Sequence, residues 1–139
     1  VTRSSLVVGF GCERGIKSEA VEKGIKSILE QYSRSVDGVR FIASIDLKSD
    51  EEGLLDAAGS MDVDLQFYDV ERLRMVTPPN PNPVVKDAVG VPGVAESAAL
   101  TAVSAETLLC EKTVLHPCEK GMTVALAEHT GTDRPAERK

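Results

Sequence analysis

Apolar and polar positions along the chain form two patterns: short apolar runs, and segments in which apolar residues recur every three or four positions. Residues 5–10 (SLVVGF) and 40–47 (RFIASIDL) are short apolar runs typical of strands buried on both faces. Between them, Val21 and Ile25 belong to an apolar stripe that predicts a helix over residues 18–34. The first part of the chain therefore predicts a strand, a helix and a second strand in succession.

The remaining pattern predicts further helices and strands up to residue 128. Ser49, with Glu52 three residues later, has the spacing of a capping box, and Ser18 and Asp69 are the predicted caps of two other helices. Four prolines within residues 77–83 (TPPNPNP) favour an extended stretch there. The predicted strands are 5–10, 40–47, 63–68, 108–115 and 122–128, and the predicted helices are 18–34, 49–61, 69–76, 83–90 and 94–103.

The order of these elements indicates the fold class. Helices and strands alternate in the first half, and two strands close the chain as an antiparallel hairpin. This order predicts an α/β fold with a mixed β-sheet that is covered by helices on both faces and ends in a C-terminal hairpin. We expect residues 1–129 to form a single domain and the polar, charged residues 130–139 to form a disordered tail.

Composition narrows the classes of partner and the cellular compartment. The net charge of −6 repels phosphate backbones, so we expect no nucleic-acid partner. The sequence has no apolar run long enough for a membrane span and no signal peptide, so we expect a cytoplasmic protein without a membrane partner. The three cysteines form no CxxC pair, which suits a reducing compartment. The chain begins at Val1 rather than Met, as expected of a trimmed protein or of a piece of a longer one.

A glycine-rich turn, residues 9–15 (GFGCERG), follows the first predicted strand. Glycines let a ligand approach the backbone closely, and exposed N–H groups in such a turn attract anions. The candidate ligand-binding residues of this turn are Gly9, Gly11, Cys12, Arg14 and Gly15. A strained turn that only glycine can form explains the same pattern. Cys12 is interpreted as a small buried cysteine rather than as a nucleophile.

The end of the second predicted strand carries a group of polar side chains. Ser44, Asp46 and Lys48 alternate along the chain and are therefore expected on one side of the strand's carboxyl end. Carboxyl ends of strands border the usual ligand crevice of open α/β sheets. Asp46 is a candidate base or orienting residue there, and Ser44 and Lys48 are candidate binding residues. The alternative is that Asp46 only stabilises a turn.

Two further charged positions interrupt apolar segments. Lys112 is expected on the same strand face as Cys110 and Val114, where it would bind a carboxylate or, alternatively, protect an edge strand from aggregation. Glu96, in the first turn of a predicted helix, is interpreted as an ordinary complement to the helix dipole. A metal site needs three or four converging ligands, and the spacing of the cysteines and histidines predicts none.

Four ordered blocks resemble the C-terminal family of CobE and CbiG, proteins of cobalamin biosynthesis. The blocks are VGFGCERG (8–15), IASIDLKSDEEGLL (42–55), PNPNPVVKDAVGVPGVAESAAL (79–100) and LLCEKT (108–113). The resemblance implies a three-layer α/β/α sandwich with a mixed sheet. The chain departs from the family pattern at Asn82 and Pro83, where a Pro-Ser-Glu helix start is usual. Asparagine caps helices as serine does, but a ligand-binding role of that serine does not carry over.

The resemblance also implies a function in cobalamin (corrin-ring) biosynthesis, with a precorrin or corrinoid intermediate as the bound small molecule. In the anaerobic pathway a similar domain is part of cobalt-precorrin-5A hydrolase, which opens a lactone on the macrocycle and releases acetaldehyde. In the aerobic pathway the alternative is a non-catalytic carrier. The partners that this implies are the intermediate and other enzymes of the pathway; cobalt enters only as part of the substrate, and no cofactor is expected.

The chemistry of such a substrate agrees with the candidate residues. Corrinoid precursors carry many acetate and propionate groups, which Arg14, Lys48, Lys112 and the amides of the glycine turn would receive. Lactone hydrolysis needs a base for water and donors for the developing oxyanion. Our hypothesis assigns the first role to Asp46 and the second to the amides of residues 11–15, and it requires both stretches to border one pocket. A nucleotide-binding domain, the unrelated alternative, is poorly supported because the glycine spacing is not GxGxxG.

Overall fold

The computed structural model describes residues 5–80, 93–103, 108–115 and 121–129. Within these ranges the chain forms five strands, four α-helices and two 3₁₀ turns. The strands are β1 (Ser5–Cys12), β2 (Val39–Ile45), β3 (Asp64–Tyr68), β4 (Cys110–Leu115) and β5 (Met122–His129). The helices are α1 (Ser18–Gln31), α2 (Glu52–Met61), α3 (Val70–Leu73) and α4 (Val94–Val103), and the 3₁₀ turns are Val36–Gly38 and Asp46–Lys48.

The five strands form one mixed sheet in the order β3-β2-β1-β5-β4. β1, β2 and β3 are parallel, whereas β5 runs antiparallel to both β1 and β4. The parallel half follows from the helices α1 and α2 that connect successive strands, since parallel neighbours need a crossover. The predicted mixed sheet with an antiparallel C-terminal pair is therefore confirmed, and helices on both faces make it a three-layer α/β/α sandwich.

Alternate residues of the central strand β1 face two separate hydrophobic cores. Val8 and Phe10 pack with α1 and α2 on one face of the sheet, whereas Val7 packs with α3 and α4 on the other. The second core combines large side chains such as Phe41 and Leu73 with several alanines, and α4 contributes alanines such as Ala95 and Ala98. Because these side chains are short, α4 lies close to the backbone of the sheet.

Helix α4 crosses β1 at Gly9, where the backbones of helix and strand touch. A Cβ atom added at Gly9 would overlap the carbonyl oxygen of Ala95. Gly9 lies within a regular strand and has no positive φ, so its backbone conformation does not require glycine. The lack of space for a side chain does. The close approach seats the first turn of α4 beside the carboxyl end of β1, where the candidate ligand site lies.

The first two helices begin without the side-chain caps that the sequence predicts. Ser18 is the first residue of α1, and Lys17 takes the cap position before it. Ser49 closes the 3₁₀ turn that precedes α2, and this helix starts at Glu52 with Glu51 in the cap position. Neither Lys17 nor Glu51 makes a side-chain bond to its helix. The predicted capping box of Ser49 and Glu52 is wrong because the 3₁₀ turn continues to Ser49, which moves the cap position two residues along the chain to Glu51.

The short helix α3 is capped as predicted. The Oδ1 atom of Asp69 accepts a hydrogen bond from the backbone N–H of Arg72 at 2.8 Å, although the helix ends at Leu73 rather than Val76. The predicted helix over residues 83–90 and the predicted tail over residues 130–139 lie outside the described residues. No helix within the described ranges is long and apolar enough to cross a membrane.

Candidate functional site

A cleft of about 570 Å³ opens at the carboxyl ends of β1 and β2. The end of β1 and the start of β5 form its floor, and its walls come from the turn after β2, the first turn of α4 and β4. The described residues that line it are 11–14, Ile45, Leu47, Lys48, 93–96, Lys112, Val114 and 121–123. The glycine turn and the tip of β2 therefore border one cavity, at the edge of the sheet where open α/β folds bind ligands.

The glycine turn is fastened to the tip of β2 by Glu51 and Arg14. Glu51 is only 4% exposed; its Oε2 accepts the backbone N–H of Gly15 at 3.0 Å, and its Oε1 lies 3.3 Å from Nη1 of Arg14. Gly15 has a φ of 83°, in the left-handed region that favours glycine. Arg14 also donates to Oδ1 of Asp50 at 2.9 Å and to the carbonyl of Leu47. Its charge is therefore balanced by Asp50 and Glu51 within the protein, while the side chain remains 56% exposed at the cleft.

Glu13 fastens the other side of the glycine turn to β5. Its backbone N–H donates to the carbonyl of Gly121 at 3.1 Å, and its Oε2 accepts the N–H of Gly121 at 3.0 Å. The backbone N–H groups of Glu13 and Gly15 are thus both bonded within the protein, since that of Gly15 donates to Glu51. The expectation of free amides for ligand anions is wrong at these two positions. Gly9 is also absent from the described lining of the cleft, since it lies beneath α4.

The tip of β2 differs from its prediction. The strand stops at Ile45, and residues 46–48 form a 3₁₀ turn that is closed by a 3.0 Å bond from the N–H of Ser49 to the carbonyl of Asp46. The predicted shared face of Ser44, Asp46 and Lys48 is therefore wrong, because the alternation of a strand ends before Asp46. Ser44 is buried and donates to the carbonyl of Phe10 at 2.6 Å. Asp46 is exposed and is not among the lining residues, whereas Lys48 is.

A β-bulge in β4 directs Lys112 toward the cleft. Cys110 pairs with Leu126 and Thr113 pairs with Val124, so β4 has one residue more than β5 between these two pairs. Cys110 consequently packs into the core with α1 and α2, whereas Lys112 and Val114 line the cleft. The prediction that Lys112 shares a face with Cys110 is wrong because the bulge reverses the alternation.

Glu96 is a buried carboxylate at the wall of the cleft, and the sequence interpretation missed its role. It is fully buried, with Oε1 accepting the backbone N–H of Asn80 at 2.9 Å. Its Oε2 accepts Nδ2 of Asn80 and the backbone N–H of Lys112, both at 2.8 Å. One side chain thus joins α4, β4 and the segment before residue 81. The available signal was an acidic residue inside a run of small apolar residues (VAESAAL).

Comparison with known proteins identifies the family of this chain. Residues 6–127 match the family described as Cobalamin synthesis G C-terminus. The chain belongs to this family. The family match confirms the resemblance drawn from the four sequence blocks and extends over every described residue that lines the cleft.

Two relatives and one solved structure are similar to the chain. It is 33% identical over 103 residues to cobalt-precorrin-5A hydrolase of Priestia megaterium, and the match covers 74% of this chain and 28% of the hydrolase. It is 33% identical over 108 residues to Protein CobE of a Sinorhizobium species, and the match covers 76% of this chain and 70% of that protein. The crystal structure of CobE, a protein from the cobalamin (vitamin B12) biosynthetic pathway, superposes with a TM-score of 0.80 at 28% identity, covering 90% of this chain and 93% of that one.

Burial has the largest effect on the pKa of Cys12. Desolvation raises the pKa of the thiol to about 11, although the nearby cations Lys48 and Arg14 act in the opposite direction. The neutral thiol therefore prevails at physiological pH, and a thiolate is the form that attacks or binds metals. Cys12 thus adds a small, weakly polar surface to the cleft, although it is half-buried rather than fully buried as the sequence interpretation had it.

We expect Cys12 to resist alkylation in the native protein. Since its pKa is raised from 9.0 to about 11, the thiolate fraction at pH 8 falls by roughly a hundredfold relative to an unfolded cysteine. The reaction rate with iodoacetamide should keep rising as the pH increases from 8 to 11. Site-resolved mass spectrometry of native and urea-unfolded protein measures both rates, and a native rate that levels off near pH 9 would contradict the raised pKa.

Proposed function

We propose that this protein binds a precorrin or corrinoid intermediate of cobalamin biosynthesis in the cleft, with its lysines receiving the acidic side chains of the macrocycle. The observation that carries the proposal is the state of Lys48 and Lys112. Both line the cleft, and neither forms an ion pair with any described residue. Two available cations beside an apolar floor suit a ligand that combines an apolar ring with carboxylates.

The dimensions of the cleft agree with part of a large ring. Its floor is two strands wide, and its walls at β2 and β4 are three strand spacings apart, roughly 14 Å. A volume of about 570 Å³ falls within the range of small-molecule sites. A macrocycle with long acidic side chains exceeds this volume, so one part of the ring would enter while the rest stays outside.

The described side chains of the cleft support binding better than catalysis. Both carboxylate oxygens of Glu96 already accept N–H donors, which leaves no poised base there. The Cys12 thiol is neutral because burial raises its pKa to about 11. Asp46, the candidate base, is exposed and outside the described lining. A carrier that presents the intermediate to other enzymes of a cytoplasmic pathway is therefore the function that we favour.

Lactone hydrolysis is the second candidate, because the chain is similar to part of a cobalt-precorrin-5A hydrolase. The match spans 28% of that protein, so most of the hydrolase lies outside the similarity. In this version the cleft holds the macrocycle, and the groups that activate water are supplied by residues beyond those that line it. Both candidates share the same binding step.

Titration with an all-acid corrinoid tests the proposed binding. Dicyanocobyrinic acid, which carries free carboxylates around the ring, should bind and change its visible absorption in a saturable manner. Dicyanocobinamide, in which these groups are amides, is the matched ligand control and should bind at least about tenfold more weakly. Asp46→Asn, outside the described lining, should bind like the wild type. The absence of any saturable change with the all-acid corrinoid would reject the proposal.

A further inference from the structure

We infer that Lys48 and Lys112 form a two-point anion clamp, which selects ligands whose carboxylates lie on separate edges of a large ring. The inference rests on the proposed function and specifies which arrangement of acidic groups the cleft recognises. A ligand with one carboxylate, or with several on a single edge, would engage only one end of the clamp.

The first step of the argument is the state of the charged groups. Among the described residues that line the cleft, five are charged, and three of these are bonded within the protein. Glu13 accepts the N–H of Gly121. Arg14 is held by Asp50, Glu51 and the carbonyl of Leu47. Glu96 accepts three N–H donors. Lys48 and Lys112 are therefore the cations of the described lining whose charge no ion pair balances.

The second step is the position of the two lysines on the sheet. Lys48 follows β2, and Lys112 lies in β4. The strands β1 and β5 lie between β2 and β4, so the two lysines are three strand spacings apart across the sheet, roughly 14 Å, with a further offset along the strands because Lys48 follows the end of β2. Backbones this far apart place the two lysines at opposite walls of the cleft, where each can bind a separate carboxylate.

The third step is the rigidity of the backbone at each lysine. Lys48 belongs to the 3₁₀ turn whose Leu47 carbonyl accepts a bond from Arg14. The backbone N–H of Lys112 donates to the buried Glu96 at 2.8 Å. Both backbones are therefore fixed before a ligand arrives, and fixed positions reduce the entropy lost on binding.

The fourth step is the apolar surface beside each lysine. Leu47 is 49% exposed and Val114 is 56% exposed, and both line the cleft next to Lys48 and Lys112 respectively. Each end of the cleft thus pairs one cation with one exposed aliphatic side chain. This pairing matches the rim of a macrocycle, where hydrocarbon and carboxylate alternate, better than it matches a small, wholly polar anion.

The test compares two porphyrins that differ in where their acids lie. Coproporphyrin III carries a propionate on each of its four pyrrole rings, whereas mesoporphyrin IX carries two propionates on one edge. With coproporphyrin, Lys48→Met and Lys112→Met should each weaken binding about tenfold, and the double variant about a hundredfold. With mesoporphyrin, each single variant should weaken binding at most about twofold, since the other lysine can still take the single acidic edge, and only the double variant should lose about tenfold.

Lys23→Met, an exposed lysine on α1 outside the cleft, is the control for a general loss of positive charge and should bind like the wild type. If wild-type protein binds dicyanocobyrinic acid but no coproporphyrin, the clamp is wrong and the proposed function stands. If it binds neither, both are wrong. If coproporphyrin binds but neither lysine variant weakens it, the clamp alone is wrong. Losses of about tenfold in both single variants with mesoporphyrin would also overturn the clamp, since the lysines would then share one group of acids.

Discussion

Gly9→Ala should lower the free energy of unfolding by at least about 3 kcal/mol and should weaken ligand binding in parallel. A Cβ atom at this position would overlap the carbonyl oxygen of Ala95 and press on the side chain of Ala99. A backbone carbonyl within a helix cannot rotate away, so α4 has to move off the sheet. This movement displaces the first turn of α4, which forms a wall of the cleft.

Gly11→Ala is the matched control for this prediction. It lies on the same strand and faces the same helix, but its Cβ would lie 3.6 Å from Cβ of Val94, which is an ordinary contact. Its stability should stay within about 1 kcal/mol of the wild type. Urea denaturation followed by circular dichroism measures both variants. Equal stability of the two would show that α4 is not held against β1 at Gly9.

Glu96→Gln should lower the free energy of unfolding by about 3 kcal/mol. The carboxylate accepts three N–H donors in a fully buried position. An amide of the same shape offers one oxygen acceptor. Its NH₂ group would face N–H donors, which cannot accept a hydrogen bond from it. Asn80 and Lys112 would then keep buried N–H groups without an acceptor, which costs more than the loss of an ordinary surface contact.

Glu111→Gln is the control for the Glu96 prediction, because it also accepts a bond from Nδ2 of Asn80, at 3.0 Å, but is exposed. Its effect should remain below about 0.5 kcal/mol, since water replaces the lost interaction. Thermal and urea unfolding of the two variants give the comparison. A Glu96→Gln protein as stable as Glu111→Gln would mean that the buried bonds contribute little to the fold.

Local patterns were sufficient for most of the architecture. The short apolar runs predicted β1 and β2, the three-to-four spacing predicted α1, and the paired strands at the end predicted the antiparallel β4 and β5. These elements follow from the sequence because periodicity and burial are properties of neighbouring residues. Asp69 was likewise predictable as a helix cap, since its partner Arg72 is three residues away.

The sequence also predicted correctly which two stretches border the cleft. The glycine turn after the first strand and the carboxyl end of the second were expected to border one pocket, and the structure places Gly11, Cys12 and Lys48 around one cleft at the ends of two neighbouring parallel strands. The reasoning held because strand direction alone determines which edge of a sheet those ends share. It did not extend to the direction of each side chain at that edge.

The sequence by itself therefore determined the elements, the fold class and the neighbourhood of the cleft, whereas tertiary structure decided which polar groups remain available to a ligand. Glu51, Arg14 and Glu96 are all engaged with residues at least fifteen positions away in the chain. The bulge that points Lys112 into the cleft exists only in the pairing of β4 with β5. Hydrogen bonds of this kind form between residues that the fold brings close together. The periodicity of a single segment does not predict which residues those are.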